Sequence, residues 1–210
     1  MKHFNNYLFL LICVLITIPP PSGQNEKSLS DNIIGLIGFS LGEFTNVVYA
    51  QNNTDIDAVV SIDGSIAYRG PKLLKEMSQF HPEEIQVPVL LMLQKYGDSL
   101  PLDMSYVNDL QRSLLYKIQF HELPHLLFSS WALKLFFADE ASYKEGSTLK
   151  PHKVKESYFW MCKYSLAFIT AHLKNDSSAS VFLQKTPQKN GVSGGLITVT
   201  AENKQNTEEL

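Results

Sequence analysis

The residue with the clearest chemical potential is Ser40, which stands in the sequence Gly38-Phe39-Ser40-Leu41-Gly42. The apolar run Ile33–Ile37 before it predicts a buried strand, and the apolar residues of the segment Leu41–Gln51 recur at helical spacing. A strand, a Gly-x-Ser-x-Gly turn and a helix in this order are typical of a nucleophile elbow, in which glycines leave room for a tight turn around the serine. The alternative is an ordinary strand-to-helix turn in which Ser40 only caps the helix.

A nucleophilic serine needs an imidazole that accepts its proton and a carboxylate that fixes the tautomer of the imidazole. In an open parallel sheet, such groups stand at the carboxyl ends of strands. The candidates all follow runs predicted to be strands: Asp63 after Ala58–Ile62, Asp98 after Val87–Leu93, and His121 and His125 after Leu115–Phe120.

His125 is the favoured base because it lies past the strand end and before a predicted helix, whereas His121 is still near the strand. His121 remains the alternative base, and any of these candidates can instead be a turn or cap residue. The two histidines are four residues apart, but on a strand and its following turn they would not share a helical face as metal ligands do. We therefore predict no metal site and no cofactor.

The chain resembles the α/β-hydrolase family, in particular its dienelactone-hydrolase and acyl-peptidase-like members. The resemblance rests on Ile33–Gly42, on Val87–Leu91 leading to Gly97-Asp98, and on Pro124–Ser129. It implies a serine hydrolase that cleaves an ester, lactone or peptide-like acyl bond. The family order of serine, aspartate and histidine is met by Ser40, Asp98 and His125, with Asp63 as the alternative acid, and the N–H of Leu41 would donate to the oxyanion.

The similarity extends from near Leu29 to near Asn175, and it departs from the family before the elbow. Relatives place several strands there, and a loop after one of them donates a second N–H to the oxyanion. Here only Gln24–Asp31 separate a predicted export signal from the elbow strand. We therefore expect an α/β protein with a partial α/β-hydrolase fold, in which about four parallel strands are flanked by helices and the N-terminal half of the fold is missing.

This departure leaves the activity open. Loss of one oxyanion donor typically lowers turnover about 100- to 1,000-fold, so the alternatives are a truncated relative with weak or no activity and an acyltransferase that uses Ser40. An uncovered strand edge would also favour self-association. Glu43 stands where many relatives have a second glycine, and it would either interact favourably with the helix dipole or change the electrostatics near Ser40.

The amino terminus has the pattern of an export signal over residues 1–23. A basic start, Met1–His3, precedes the apolar run Tyr7–Ile18, and Pro19–Pro21 and small residues follow. The run is shorter than the roughly 20 residues that a membrane span needs. We predict a secreted or periplasmic protein with no stable membrane span after cleavage. The alternative is a protein anchored by an uncleaved signal.

Composition narrows the remaining possibilities. The chain has 210 residues, of which 44% are hydrophobic, so it can bury a core. Its formal net charge of −3, with basic residues scattered among acids, predicts no nucleic-acid partner. The expected partner is a small-molecule or peptide acyl substrate. We assign residues 24–175 to the hydrolase-like domain and residues 176–210 to a tail with short elements, including a possible strand at Leu196–Thr200.

Overall fold

A computed structural model describes residues 12–18, 33–64, 80–95, 104–138 and 149–203. Six strands form one sheet in chain order, and they are β1 (Ile12–Ile18), β2 (Ile33–Phe39), β3 (Ile56–Ile62), β4 (Val89–Gln94), β5 (Leu114–Phe120) and β6 (Ile197–Asn203). Strands β2 to β5 are parallel, while β1 and β6 pair antiparallel at the two edges. The expected α/β class, with about four parallel strands, is therefore confirmed.

Helices cover both faces of this sheet. They are α1 (Leu41–Gln51), α2 (Ser105–Asp109), α3 (Ser130–Ala138), α4 (Pro151–Lys174) and α5 (Ser177–Gln184), with 3₁₀ helices at Pro82–Glu84, His125–Phe128 and Pro187–Asn190. Successive residues of a strand point to opposite faces. In β3, Val59 packs in the cluster that contains α1 and α2, whereas Val60 packs in the cluster that contains α4. Burial on both faces explains why β3 and β4 are almost wholly apolar.

β1 comes from the apolar run that the sequence predicts to be part of an export signal. It pairs antiparallel along the whole of β2, with Ile12 opposite Phe39 and Ile18 opposite Ile33. The edge of β2 that we expected to be uncovered is thus paired in the full chain, and removal of residues 1–23 would uncover it. Signal cleavage itself stays a prediction. None of the helices in the described ranges is long and apolar enough to cross a membrane.

Two helix predictions need correction. The pattern from Met104 to Leu114 predicts one helix, but α2 ends at Asp109 and Leu114 already belongs to β5. The apolar spacing of Val154–Leu173 predicts one long helix with Cys162 and Leu166 on its buried side, and α4 covers this segment and extends it at both ends. Its predicted buried face is wrong at Cys162 and Leu166, which are exposed. The wide rings of other α4 residues fill the core against the sheet instead, and these are Trp160, Tyr164 and Phe168. The helix predicted at Pro71–Phe80 lies outside the described residues except for its last residue.

One α4 side chain makes the stability of the fold sensitive to acid. The His172 ring lies 4.6 Å from the Phe168 ring and 5.9 Å from the Tyr116 ring, measured between centroids. Within the described part of the chain, its Nε2 atom is enclosed and has no hydrogen-bond partner. Burial lowers the pKa of His172, because the charged imidazolium loses its hydration. Protonation of His172 therefore favours the unfolded chain.

We expect the free energy of unfolding to fall as the pH drops below about 6.5, where the histidine of an unfolded chain takes up a proton. The fall should continue until the pH passes the lower pKa of His172 in the folded chain. His172→Phe should remove this component of the pH dependence, whereas His152→Gln, at an exposed position on the first turn of α4, should retain it. Urea unfolding at pH 7.5 and 5.5 measures the difference. Equal pH dependence in wild type and His172→Phe would contradict the explanation.

Candidate active site

Ser40 stands in a strained turn directly after β2. Its backbone has φ 55° and ψ −118°, a positive-φ conformation that residues other than glycine rarely adopt. The Ser40 N–H donates to the Ile62 carbonyl at 3.0 Å, which anchors the turn to β3. A Cβ at Gly38 would lie 2.5 Å from the Glu43 nitrogen, so this position requires glycine. The structure therefore has the strand, tight turn and helix that the spacing predicts around Ser40.

Asp63 occupies the equivalent position one strand further along the sheet. It follows β3, has φ 43°, and its N–H donates to the Met92 carbonyl of β4 at 2.7 Å. Its side chain is fully buried. The Oδ1 atom of Asp63 accepts a hydrogen bond of 2.8 Å from the backbone N–H of Gln94. Aspartate tolerates left-handed backbone better than most residues, and these bonds compensate part of the cost of burying its carboxylate.

His125 connects these two residues from the first position of the 3₁₀ helix His125–Phe128. Its Nδ1 atom lies 2.6 Å from Asp63 Oδ2, and its Nε2 atom lies 3.0 Å from Ser40 Oγ. The imidazole stacks on the Phe39 ring, with 5.0 Å between the centroids and 27° between the planes. The backbone N–H of His125 donates to Gln94 Oε1 at 3.1 Å. The position of His125 is therefore fixed by hydrogen bonds at both ring nitrogens, by stacking of the ring on Phe39 and by the hydrogen bond of its backbone N–H.

This arrangement defines which atoms carry protons. An ionised carboxylate only accepts hydrogen bonds, so His125 donates from Nδ1–H to Asp63 and its unprotonated Nε2 accepts from the Ser40 hydroxyl. That is the tautomer in which an imidazole can remove a serine proton. Leu41 is the first residue of α1, where a backbone N–H has no acceptor inside the helix and the helix dipole favours negative charge. The site can thus activate a hydroxyl and stabilise an oxyanion beside it.

The structure brings Ser40 and His125 together with Asp63, the alternative acid. Asp98, the favoured acid, lies outside the described residues. The alternative base His121 is not beside Ser40, because its Nε2 pairs with Thr198 Oγ1 of β6 at 2.9 Å and its backbone N–H donates to the Leu196 carbonyl at 3.0 Å. In the ranges that the structure describes, no cluster of histidine, cysteine and acidic residues could hold a metal ion.

The sequence also predicts that the second N–H donor to the oxyanion is missing. The family places this donor in a loop that follows an early strand and lies beside the nucleophile. β1 precedes the elbow strand here, but its last residue, Ile18, pairs with Ile33, at the end of β2 that is away from Ser40. β1 therefore ends away from Ser40. Among the described residues, only the Leu41 N–H is assigned to the oxyanion.

Sequence reasoning missed two residues that position the site. Gln94 supports Asp63 with its backbone N–H and His125 with its side-chain oxygen, and Phe39 supports the imidazole ring. Gln94 carried a usable signal, because it is the only polar residue of β4 and stands at the carboxyl end of that strand. Phe39 carried none, since an aromatic residue beside a nucleophile is also expected as ordinary core.

Comparisons with known proteins add no further constraint on the assignment. The chain matched no protein-family model in a scan, and a search of curated proteins found no match either. The functional assignment therefore depends on the geometry of Ser40, His125 and Asp63 and on the resemblance of the elbow sequence to α/β-hydrolases.

Asp63→Asn tests the role of the buried carboxylate. An asparagine amide can hold the wrong imidazole tautomer, an effect that lowers serine reactivity about 10,000-fold in a comparable arrangement. We expect a similar loss in the rate at which Ser40 reacts with an alkyl fluorophosphonate, measured by time-resolved mass spectrometry of the full chain.

Two matched variants serve as controls. His121→Gln should react at the wild-type rate, because His121 pairs with Thr198 and not with Ser40. Asp98→Asn should stay within about threefold of wild type if Asp63 is the acid. A wild-type rate in Asp63→Asn, or a large loss in Asp98→Asn, would assign the acid role away from Asp63.

Proposed function

We propose that the chain is a serine hydrolase of the α/β-hydrolase type that cleaves an ester, lactone or peptide-like acyl bond. Ser40 is the nucleophile, His125 the general base and Asp63 the acid that orients it. The observation that carries the proposal is the pair of hydrogen bonds in series, 3.0 Å from Ser40 Oγ to His125 Nε2 and 2.6 Å from His125 Nδ1 to Asp63 Oδ2. The resemblance of the elbow sequence to dienelactone-hydrolase and acyl-peptidase-like enzymes supports the same function.

The proposed reaction has two halves. Ser40 Oγ attacks the acyl carbon as its proton moves to His125 Nε2, and the oxyanion that forms accepts a hydrogen bond from the Leu41 N–H. The imidazolium then gives its proton to the departing alcohol or amine, which leaves an acyl group on Ser40. Water attacks this acyl group while His125 accepts its proton, and the acid is released as the proton returns to Ser40.

Two exposed leucines favour an apolar acyl group. Leu41 follows Ser40 directly and is 43% exposed, and Leu126 follows His125 directly and is 53% exposed. An alkyl or aryl group that covers these two chain neighbours of the reacting residues would gain about 25 cal/mol per Å² of apolar surface buried. We propose that the substrate has a hydrophobic acyl portion rather than a charged one.

Transfer of the acyl group to an alcohol or amine is the second candidate function, since the acyl group on Ser40 can react with either. The single assigned oxyanion donor favours slow turnover in both cases. If the predicted signal over residues 1–23 is cleaved, the substrate lies outside the cytoplasm, in a secreted or periplasmic setting.

Hydrolysis of 4-nitrophenyl butyrate tests the nucleophile. We expect the wild-type chain to release nitrophenol, and Ser40→Ala to lose at least about 1,000-fold in kcat/KM because no acyl-enzyme can form. Ser178→Ala, which changes an exposed serine of α5, should behave like wild type. Equal rates in wild type and Ser40→Ala would reject the proposal.

Added glycerol or hydroxylamine separates transfer from hydrolysis, because transfer would move the acyl group from Ser40 to the added acceptor instead of to water.

Comparison of butyrate with acetate esters tests the acyl preference. Each buried methylene contributes about 0.8 kcal/mol, so the two additional methylenes should let butyrate exceed acetate in kcat/KM by up to about 15-fold. Leu126→Ser should reduce this ratio about threefold, whereas Leu135→Ser, which removes an equally exposed leucine of α3, should leave it unchanged. A ratio that is the same in all three proteins would contradict a role for Leu126 in acyl binding.

A further inference from the structure

A second buried carboxylate lies close to the site and has no part in the proposed reaction. Glu43 is in the first turn of α1, three residues after Ser40, and it is fully buried. Its Oε1 atom accepts a hydrogen bond of 3.0 Å from the hydroxyl of Tyr106, a buried residue of α2. Burying a carboxylate is unfavourable unless hydrogen bonds compensate for the lost hydration. The contacts of the Glu43 side chain should therefore show why a carboxylate is buried at this position.

The second oxygen of Glu43 lies against Gly64, the residue after Asp63. A Cβ at Gly64 would stand 2.1 Å from Glu43 Oε2 and 2.2 Å from its Cδ. Gly64 is not among the residues with positive φ, so its backbone does not require glycine. The carboxylate of Glu43 is therefore the contact that excludes a side chain at position 64. Because Tyr106 holds this carboxylate in a buried position, it cannot swing away freely.

Glu43 thus joins the two turns that carry the reacting groups. Its backbone N–H donates to the Ser40 carbonyl at 3.2 Å, while its side chain packs on the turn Asp63-Gly64. That turn has a strained residue, Asp63 with φ 43°, and it must present Asp63 Oδ2 to His125 at 2.6 Å. Strained backbone persists only where its surroundings hold it.

We propose that Glu43 is a positioning residue whose carboxylate, held by Tyr106, keeps the Asp63-Gly64 turn in the position that places Asp63 on His125. The inference rests on the proposed function, because it concerns the same Ser-His-Asp arrangement. It also explains why an acid occupies the first turn of α1, at the position where many α/β-hydrolases have a second glycine: the side chain fills the space against Gly64.

The first test compares Glu43→Ala with Glu43→Gln. Alanine removes the contact with Gly64, whereas glutamine keeps its shape and can still accept the Tyr106 hydroxyl. We expect Glu43→Ala to lose the downfield proton NMR signal of the His125 Nδ1–H bonded to Asp63, and to react with an alkyl fluorophosphonate at least tenfold more slowly. Glu43→Gln should retain the signal and stay within threefold of the wild-type rate.

A control separates positioning from general destabilisation. Val47→Ala removes a buried side chain one turn further along α1, away from Gly64. It should lower the melting temperature, as Glu43→Ala does, but keep the NMR signal and the wild-type reaction rate.

The second test uses the exclusion of a side chain at position 64. Gly64→Ala should slow the reaction of Ser40 at least tenfold when Glu43 is present, because the new Cβ collides with the carboxylate. In the Glu43→Ala background the same change should cost less than threefold, since the collision partner is gone. The non-additivity of the two substitutions measures the contact directly.

The outcomes separate the two proposals. If the wild-type chain does not react with the probe at Ser40, the proposed function fails, while the NMR signal in the variants still decides the role of Glu43. If Glu43→Ala keeps the signal, or if Gly64→Ala has the same effect in both backgrounds, the positioning role is wrong. Should Glu43→Ala not fold, Tyr106→Phe replaces it and should weaken the signal, because the carboxylate loses the hydroxyl that donates to its Oε1 atom.

Discussion

The hydrogen bond between His125 Nδ1 and Asp63 Oδ2 is the interaction on which the candidate site depends. It fixes the tautomer of the imidazole, and the tautomer decides whether Nε2 can accept the proton of Ser40. A 2.6 Å contact across two elements that are 62 residues apart can exist only if the strands that carry them keep their register. The parallel sheet provides this, because the positions that follow β2 and β3 each donate one backbone hydrogen bond to the next strand.

Burial of Asp63 strengthens its interaction with His125, and it also requires that each carboxylate oxygen has a hydrogen-bond donor. Asp63 is fully buried, so its carboxylate interacts strongly with the imidazole, but every unmet hydrogen bond would be costly. Gln94 and His125 supply donors to the two oxygens of Asp63. We have proposed that Glu43 supports the backbone behind it. The polar groups around Ser40 therefore form one connected set, in which loss of a supporting contact is expected to affect the reacting groups.

The local features of the site were predictable, because they depend on nearby residues. The two glycines around Ser40 indicate the turn, and buried apolar runs indicate the strands of a parallel sheet. The choice between Asp63 and Asp98 was not predictable in the same way, since both follow apolar strands and the contact with His125 depends on the conformation of the turn after each strand. The preference for Asp98 came from the resemblance of Val87–Leu91 and Gly97-Asp98 to the family, because the order serine, aspartate and histidine is met by either carboxylate.

The edge strand β1 and the buried face of α4 show a second limit of prediction from the sequence. The apolar run that contains β1 fits an export signal as well as a strand, because both need only hydrophobic residues. On α4, the apolar periodicity predicts that Cys162 and Leu166 are buried, but the buried side chains are the wide rings of Tyr164 and Phe168. Hydrophobic spacing identifies a helix, while the volumes of the side chains decide which way it faces.

The most direct test of the central claim is a crystal structure of the full chain after reaction with an alkyl fluorophosphonate. We expect a phosphonyl group on Ser40 Oγ, with one of its oxygens within about 3 Å of the Leu41 nitrogen. We also expect His125 Nδ1 to remain bonded to Asp63. An unmodified Ser40, or a His125 ring bonded to Asp98 instead of Asp63, would contradict the proposed Ser40-His125-Asp63 arrangement.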